Sequence, residues 1–224
     1  MGIADERPLL GSYQGEQQAL RICVYQDRGV PKESVHEMTG AIMQRFAPLG
    51  IRVEIPWIRP WQRNAFAVHE IVNQVATLPL ECPCDRILAI VDRDFGDFLW
   101  GILLPEYFGA VEDVTLTKGY AVGRWGSLNQ VLSKKSPTDV AVHEAFHFLG
   151  CGHELGAESC RLKIAGLLEA AKENREKGQD FFPAMSLDGR IHRTRAEVDR
   201  LLGAALQSDL AAAGIKNPPD PSCG

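Results

Sequence analysis

Residues 143–153 read His-Glu-Ala-Phe-His-Phe-Leu-Gly-Cys-Gly-His, and their spacing could do chemistry. On a helix, residues four apart share a face, so His143 and His147 can aim two imidazoles at one point. Glu144 is turned by about 100° from His143, beside the pair, where its carboxylate could reach a metal-bound water. Gly150 lacks a Cβ and can leave the helix through the left-handed region, which lets His153 swing back as a third nitrogen ligand. Three neutral imidazoles with an open fourth position describe a catalytic zinc site, not a closed structural one. The expected metal ligands are His143, His147 and His153, the expected catalytic residue is Glu144, and the expected cofactor is one Zn2+. With this chain's composition, the five fixed residues carry a chance expectation on the order of 10⁻⁵, so coincidence does not compete.

The sequence holds its own controls. Val35-His36-Glu37 and Val68-His69-Glu70 repeat the tripeptide Val142-His143-Glu144. Four residues beyond each histidine stand Gly40 and Asn73, so neither copy can make the imidazole pair. Both are read as helix-surface residues without a function.

These side chains need a scaffold. Ser136 can cap a helix, Pro137 fits its first position, and Asp139 favours its positive end, so a helix is predicted from there through Leu149 to Gly150. Upstream, Ala19–Tyr25 reads as a buried strand. Pro31–Phe46 reads as an amphipathic helix with Val35, Met38, Ile42, Met43 and Phe46 on its apolar face. Ile51–Ile58 alternates as a half-buried strand, residues 65–77 read as a second helix, and Ile87–Val91 as a fully apolar strand. Strand–helix alternation of this kind implies an α/β fold with a largely parallel sheet. Val114–Val122, interrupted by Gly119, is a candidate edge strand. Arg161–Glu176 and a last helix capped by Thr194 and Glu197 complete the elements.

The chain has 224 residues, 45% hydrophobic and 24% charged, which suits a globular domain with a substantial core. Its formal net charge of −5 argues against nucleic-acid or membrane-surface binding. No apolar run approaches the ~20 residues of a membrane span. The N-terminal stretch lacks the pattern of a signal peptide, so a cytoplasmic location is expected. Six cysteines are sparse for a disulfide scaffold, and isolated thiols are expected, the alternatives being half a metal site or a redox pair at Cys82-Pro83-Cys84 and metal binding or a bridge across the loop at Cys151 and Cys160. Asp92, Asp94 and Asp97 lack calcium-loop spacing and read as a solvated strand end. Trp57 and Trp61 read as core or edge packing.

His143, Glu144, His147, Gly150 and His153 match every fixed position of the extended zinc signature of the metzincin metallopeptidases, which this chain therefore resembles. That clan has a Met-turn, a methionine lying beneath the zinc-binding imidazoles. After residue 43 the only methionine is Met185, followed by Asp188-Gly189 in a turn context. The early strand–helix–strand order and Asp92-Arg93-Asp94 look most like the archaemetzincins. Their second, four-cysteine zinc site is not matched, because position 154 is Glu and Cys160 has no paired cysteines. Glu154 is what astacins have, but Leu187 stands where their extra tyrosine ligand would be.

The resemblance implies a zincin-type fold: a mixed, mostly parallel twisted sheet with an antiparallel edge strand, packed on the active-site helix, plus a small helical C-terminal subdomain. Residues 1–18 would be a loose tail, 19–153 the N-terminal subdomain with the active-site helix, and 154–224 the C-terminal subdomain, together one catalytic domain. It also implies hydrolysis of a peptide or protein substrate, aligned by the 114–122 strand with Gly119 and Tyr120 near the cleft. The alternatives are a zinc-dependent amidase acting on a small-molecule or cell-wall substrate, and a zincin-fold binding module without turnover.

Overall fold

The computed structural model describes residues 15–65, 67–92, 108–124, 136–153 and 156–213, the side chains only as far as 206. Strand β1 (Gln18–Asp27) is followed by α1 (Lys32–Phe46), a 3-10 turn, β2 (Ile51–Glu54), β3 (Ile58–Trp61) and α2 (Val68–Ala76). Then come β4 (Arg86–Val91), β5 (Gly109–Val111), β6 (Lys118–Val122) and α3 (Pro137–His147). The chain continues through α4 (Ala157–Glu176), the short strands β7 (Ala184–Met185) and β8 (Ile191–His192), and α5 (Arg195–Ala213).

The main sheet is six-stranded, with order β2-β1-β4-β6-β5 and β3 added beside β1. All its pairings are parallel except β5 with β6. The expected mixed α/β class with a mostly parallel sheet and an antiparallel edge strand is therefore what forms. Side chains alternate strictly between its two faces. Leu20, Ile22, Val24, Leu88 and Ile90 pack in one cluster with residues of α1, α3 and α4. Cys23, Tyr25, Ile87, Ala89 and Val91 pack on the other face with residues of α2 and α5. A strand covered on both sides has to be apolar throughout, which is why β4 reads as an unbroken hydrophobic run. Met185 belongs to the first cluster and Ala184 to the second, so the residues after 153 share the cores of those before it.

Several expectations are corrected. Ile51–Ile58 is not one strand: β2 pairs with Gln18–Arg21 and β3 with Val24–Asp27, and Pro56 lies in the break. Met43 is exposed rather than on the buried face of α1. Of the tail expected over 1–18, the described end is held: Glu16 pairs with Arg175 at 2.7 Å, Gln17 donates to Ala47 O at 3.0 Å and Gln18 begins β1.

The 114–122 edge strand is also overturned. Only Lys118–Val122 is strand, it lies between β4 and β5, and the edge strand is β5. Residues 113–116 turn instead, because the buried Glu112 carboxylate accepts from the backbone N–H groups of Val114, Thr115 and Thr117 at 2.6–2.9 Å. Such a carboxylate locks a turn that the alternating Val-Thr-Leu-Thr pattern disguises. Tyr120 is accordingly buried, and Gly119 packs against Ala110 and Val111 of β5.

The thiol expectation fails as well. Cys23 is bridged to Cys84 and Cys151 to Cys160, Cys82 is disulfide-bonded too, and no described cysteine is free. Each bridged pair is brought within reach by the fold, with Cα atoms 5.6 and 4.9 Å apart, a proximity that composition does not reveal. Among the described residues no helix is long and apolar enough to cross a membrane.

Candidate metal centre

Helix α3 begins as its sequence dictates. Ser136 Oγ accepts from Asp139 N at 3.1 Å, and Asp139 Oδ2 accepts from Ser136 N at 3.1 Å. This reciprocal box fixes where the helix starts and hence which residues face the sheet. At the other end Gly150 takes φ +78°, a conformation that strains any residue with a Cβ. The turn carries His153 back over the helix end.

The three histidines meet. His143, His147 and His153 each offer a ring nitrogen, and these atoms lie within 4.8 Å of one another. Nε2 of His143 and Nε2 of His147 are 3.2 Å apart. Two nitrogens each about 2.0–2.1 Å from a tetrahedral zinc would be separated by about 3.3–3.4 Å, so this pair is already at ligand spacing. The three ring centroids form a triangle with sides of 4.8 Å. His147 Nδ1 lies 2.6 Å from the carbonyl oxygen of Cys151. That contact makes Nδ1 the protonated donor and leaves the Nε2 lone pair directed at the other rings. Burial lowers the His147 pKa, with the Cys151 hydrogen bond opposing and His153 adding to the shift, and so favours the neutral, ligating form. Donor type, convergence and tautomer together fit a zinc ion.

Glu144 is only 5% exposed and lies against the edge strand. A Cβ placed on Gly109 of β5 would come 2.5 Å from Glu144 Cγ and 2.7 Å from Oε1. The close approach of strand to carboxylate thus requires glycine at that position. Beneath the site, a Cβ on Gly150 would meet Met185 Sδ at 3.0 Å, so the methionine packs directly under the turn of the histidine motif. Met185 is buried at the end of β7, in a hairpin with β8.

Arg86 connects these parts. It is fully buried, and its guanidinium donates to the carbonyls of Phe182 at 3.2 Å and Pro183 at 2.6 Å, just ahead of Met185. It also donates to Asp85 O at 2.7 Å and to Phe148 O, the residue after His147, at 3.4 Å. Burial lowers its pKa to about 10, so it remains a cation at neutral pH, facing the negative end of α3. The neighbouring Asp85 carboxylate gathers Arg21, the Phe182 N–H and Arg195 around it.

The structure brings His143, His147 and His153 together and sets Glu144 and Met185 beside the same motif. Gly109 and Arg86 are missed by sequence reasoning, as is Lys163, whose Nζ donates to Gly150 O at 2.8 Å, while the Cys151–Cys160 bridge is the alternative that the sequence left beside isolated thiols. The available signal for Arg86 is a charge placed directly before the apolar run Ile87–Val91. His36, Glu37, His69 and Glu70 are exposed on their helices, as expected of the two control copies. Trp57 stacks edge-on against Tyr25 at 5.1 Å with the Arg59 guanidinium over its ring, and together with Trp61 it packs on the sheet core. Asp92 N donates to Asp27 Oδ2, while Asp94, Asp97 and Glu154 lie outside the described residues. No protein-family model and no curated protein matches this chain.

Proposed function

We propose that the chain is a zinc metallopeptidase of the metzincin type, near the archaemetzincins, that hydrolyses peptide bonds of a peptide or protein substrate. The observation that carries this reading is the convergence of His143, His147 and His153 beside a buried Glu144. The Gly150 turn above Met185 and the antiparallel edge strand against Glu144 supply the two further features that the clan resemblance implies.

His143, His147 and His153 would hold the zinc, which when bound supplies Lewis acidity toward water and the substrate carbonyl. Glu144 takes the proton of the attacking water and delivers it to the leaving amine. Among the described residues β6 is the only sheet partner of strand β5, and the other edge of β5 suits main-chain pairing with an extended peptide, which would run past Glu144. The disulfide-bonded cysteines fit an oxidising compartment better than the cytoplasm expected from the N-terminal sequence.

The test is zinc per chain by native mass spectrometry, paired with peptide-library cleavage. About one zinc is expected in the wild type and in Glu144→Gln, with turnover falling by about 10²–10⁴ in the variant. A folded protein without zinc even after reconstitution, or a Glu144→Gln variant that still cleaves at the native rate, removes the reading.

A further inference from the structure

His143 and His147 are fixed by the helix they stand on, whereas His153 is exposed and lies beyond the helix end. The 150–153 loop carries glycines at both 150 and 152, so its backbone is intrinsically free. Among the described residues, two contacts from α4 hold it, beside the packing of Met185 under Gly150. Cys151 is bridged to Cys160 in the first turn of that helix, and Lys163 Nζ donates to Gly150 O at 2.8 Å. The Cys151 residue has a double attachment. Its side chain is bonded to α4, and its carbonyl oxygen accepts from His147 Nδ1 at 2.6 Å.

We propose that α4 is an external clamp on the third ligand, with Cys151, Cys160 and Lys163 as positioning residues that hold His153 where it completes the metal centre. This rests on reading the three histidines as that centre. A ligand on a free loop must lose conformational entropy when it binds, and a loop already ordered by cross-links has lost it beforehand. The bridge joins cysteines nine residues apart, so His153 lies inside the closed loop, two residues after Cys151. Partners outside the ligand set that orient ligands typically contribute about 10–100-fold in metal affinity.

Zinc affinity of the full chain, read by competition with a chromophoric chelator, tests the clamp. Cys151→Ala/Cys160→Ala is expected to weaken binding about 10–100-fold. Lys163→Met, which keeps the bridge and the side-chain stem, is expected to weaken it by a smaller factor. Cys23→Ala/Cys84→Ala removes a bridge on the opposite face of the sheet and is expected to leave zinc affinity unchanged while lowering the melting temperature. The cobalt(II)-substituted protein gives a second readout: its visible absorption shifts with loss of a nitrogen ligand in the first variant and stays native in the control. Equal weakening by both cysteine pairs, or unchanged affinity in Cys151→Ala/Cys160→Ala and Lys163→Met alike, overturns the clamp while the metal centre stands. A wild type that binds no zinc removes both.

Discussion

The tripeptide Val-His-Glu occurs in α1, α2 and α3, and it meets two very different environments. In α1, Val35 is buried while His36 and Glu37 face water, and His36 Nδ1 lies 2.8 Å from Lys32 O on its own helix. In α2, His69 and Glu70 are exposed as well, and Glu70 accepts from Ala67 N at the helix start. In α3, Val142 and Glu144 are both buried and His143 is half-buried. The reason is what covers each helix. α3 is packed against α1 and also against β5 and β6, so both flanks of the tripeptide are enclosed. Identical local chemistry therefore yields a solvated ion in two places and a sheltered carboxylate in the third. Shelter, together with the second histidine four residues on, is what makes a glutamate a candidate base.

The comparison breaks most sharply at the ligands. His143→Ala is expected to abolish zinc binding, while His36→Ala and His69→Ala keep the native zinc content by mass spectrometry. Loss in either surface variant would assign metal ligands to the wrong helices. Next in size is Arg86→Met, which removes the donors that tie the end of α3 to the strand carrying Met185. Its buried carbonyl acceptors lose their partners, so urea denaturation should show a loss of about 3 kcal/mol or more. A loss below about 1 kcal/mol would mean that water replaces the guanidinium.

Gly109→Ala tests the enclosure of Glu144 directly. The new methyl group overlaps the Glu144 side chain, so kcat is expected to drop by about tenfold or more with zinc content retained. A native kcat would show that the carboxylate can do its work from elsewhere. The mildest change is Gly40→His, which writes His-Glu-x-x-His onto α1 where a Cβ meets nothing within 4 Å. Stability should move by about 0.5 kcal/mol or less. Combined with Glu144→Gln it should restore no hydrolysis, since Glu37 stays in water; restored cleavage would show that shelter is dispensable.

What the sequence disclosed follows the range of each interaction. The start of α3 was legible because Ser136, Pro137 and Asp139 act within one turn, and the Gly150 bend because φ above zero favours one residue type. The His143–His147 pair was legible because a helix fixes its geometry locally, and the return of His153 because Gly150 marks the bend. Strand β5 was not: Gly109–Val111 is too short to show a period, and only its pairing with β6 makes it a strand. The Cys23–Cys84 bridge was hidden for the same reason, since its cysteines meet across 61 residues, whereas the Cys151–Cys160 bridge spans only nine and stood as an alternative. Arg86 showed its charge but not its partners, which are carbonyls brought in from remote chain segments.

Those remote partners set an order of events. Arg86 bonds carbonyls 62, 96 and 97 residues away, and Asp85 accepts from groups 64, 97 and 110 residues away. Closing such long loops is slow beside the winding of α3, whose hydrogen bonds span one turn. The two histidines on the helix can therefore face each other well before the floor carrying Met185 is in place. On the proposed reading, tight retention of an ion would be a property of the finished fold, linking metal capture to the last and most distant contacts the chain makes.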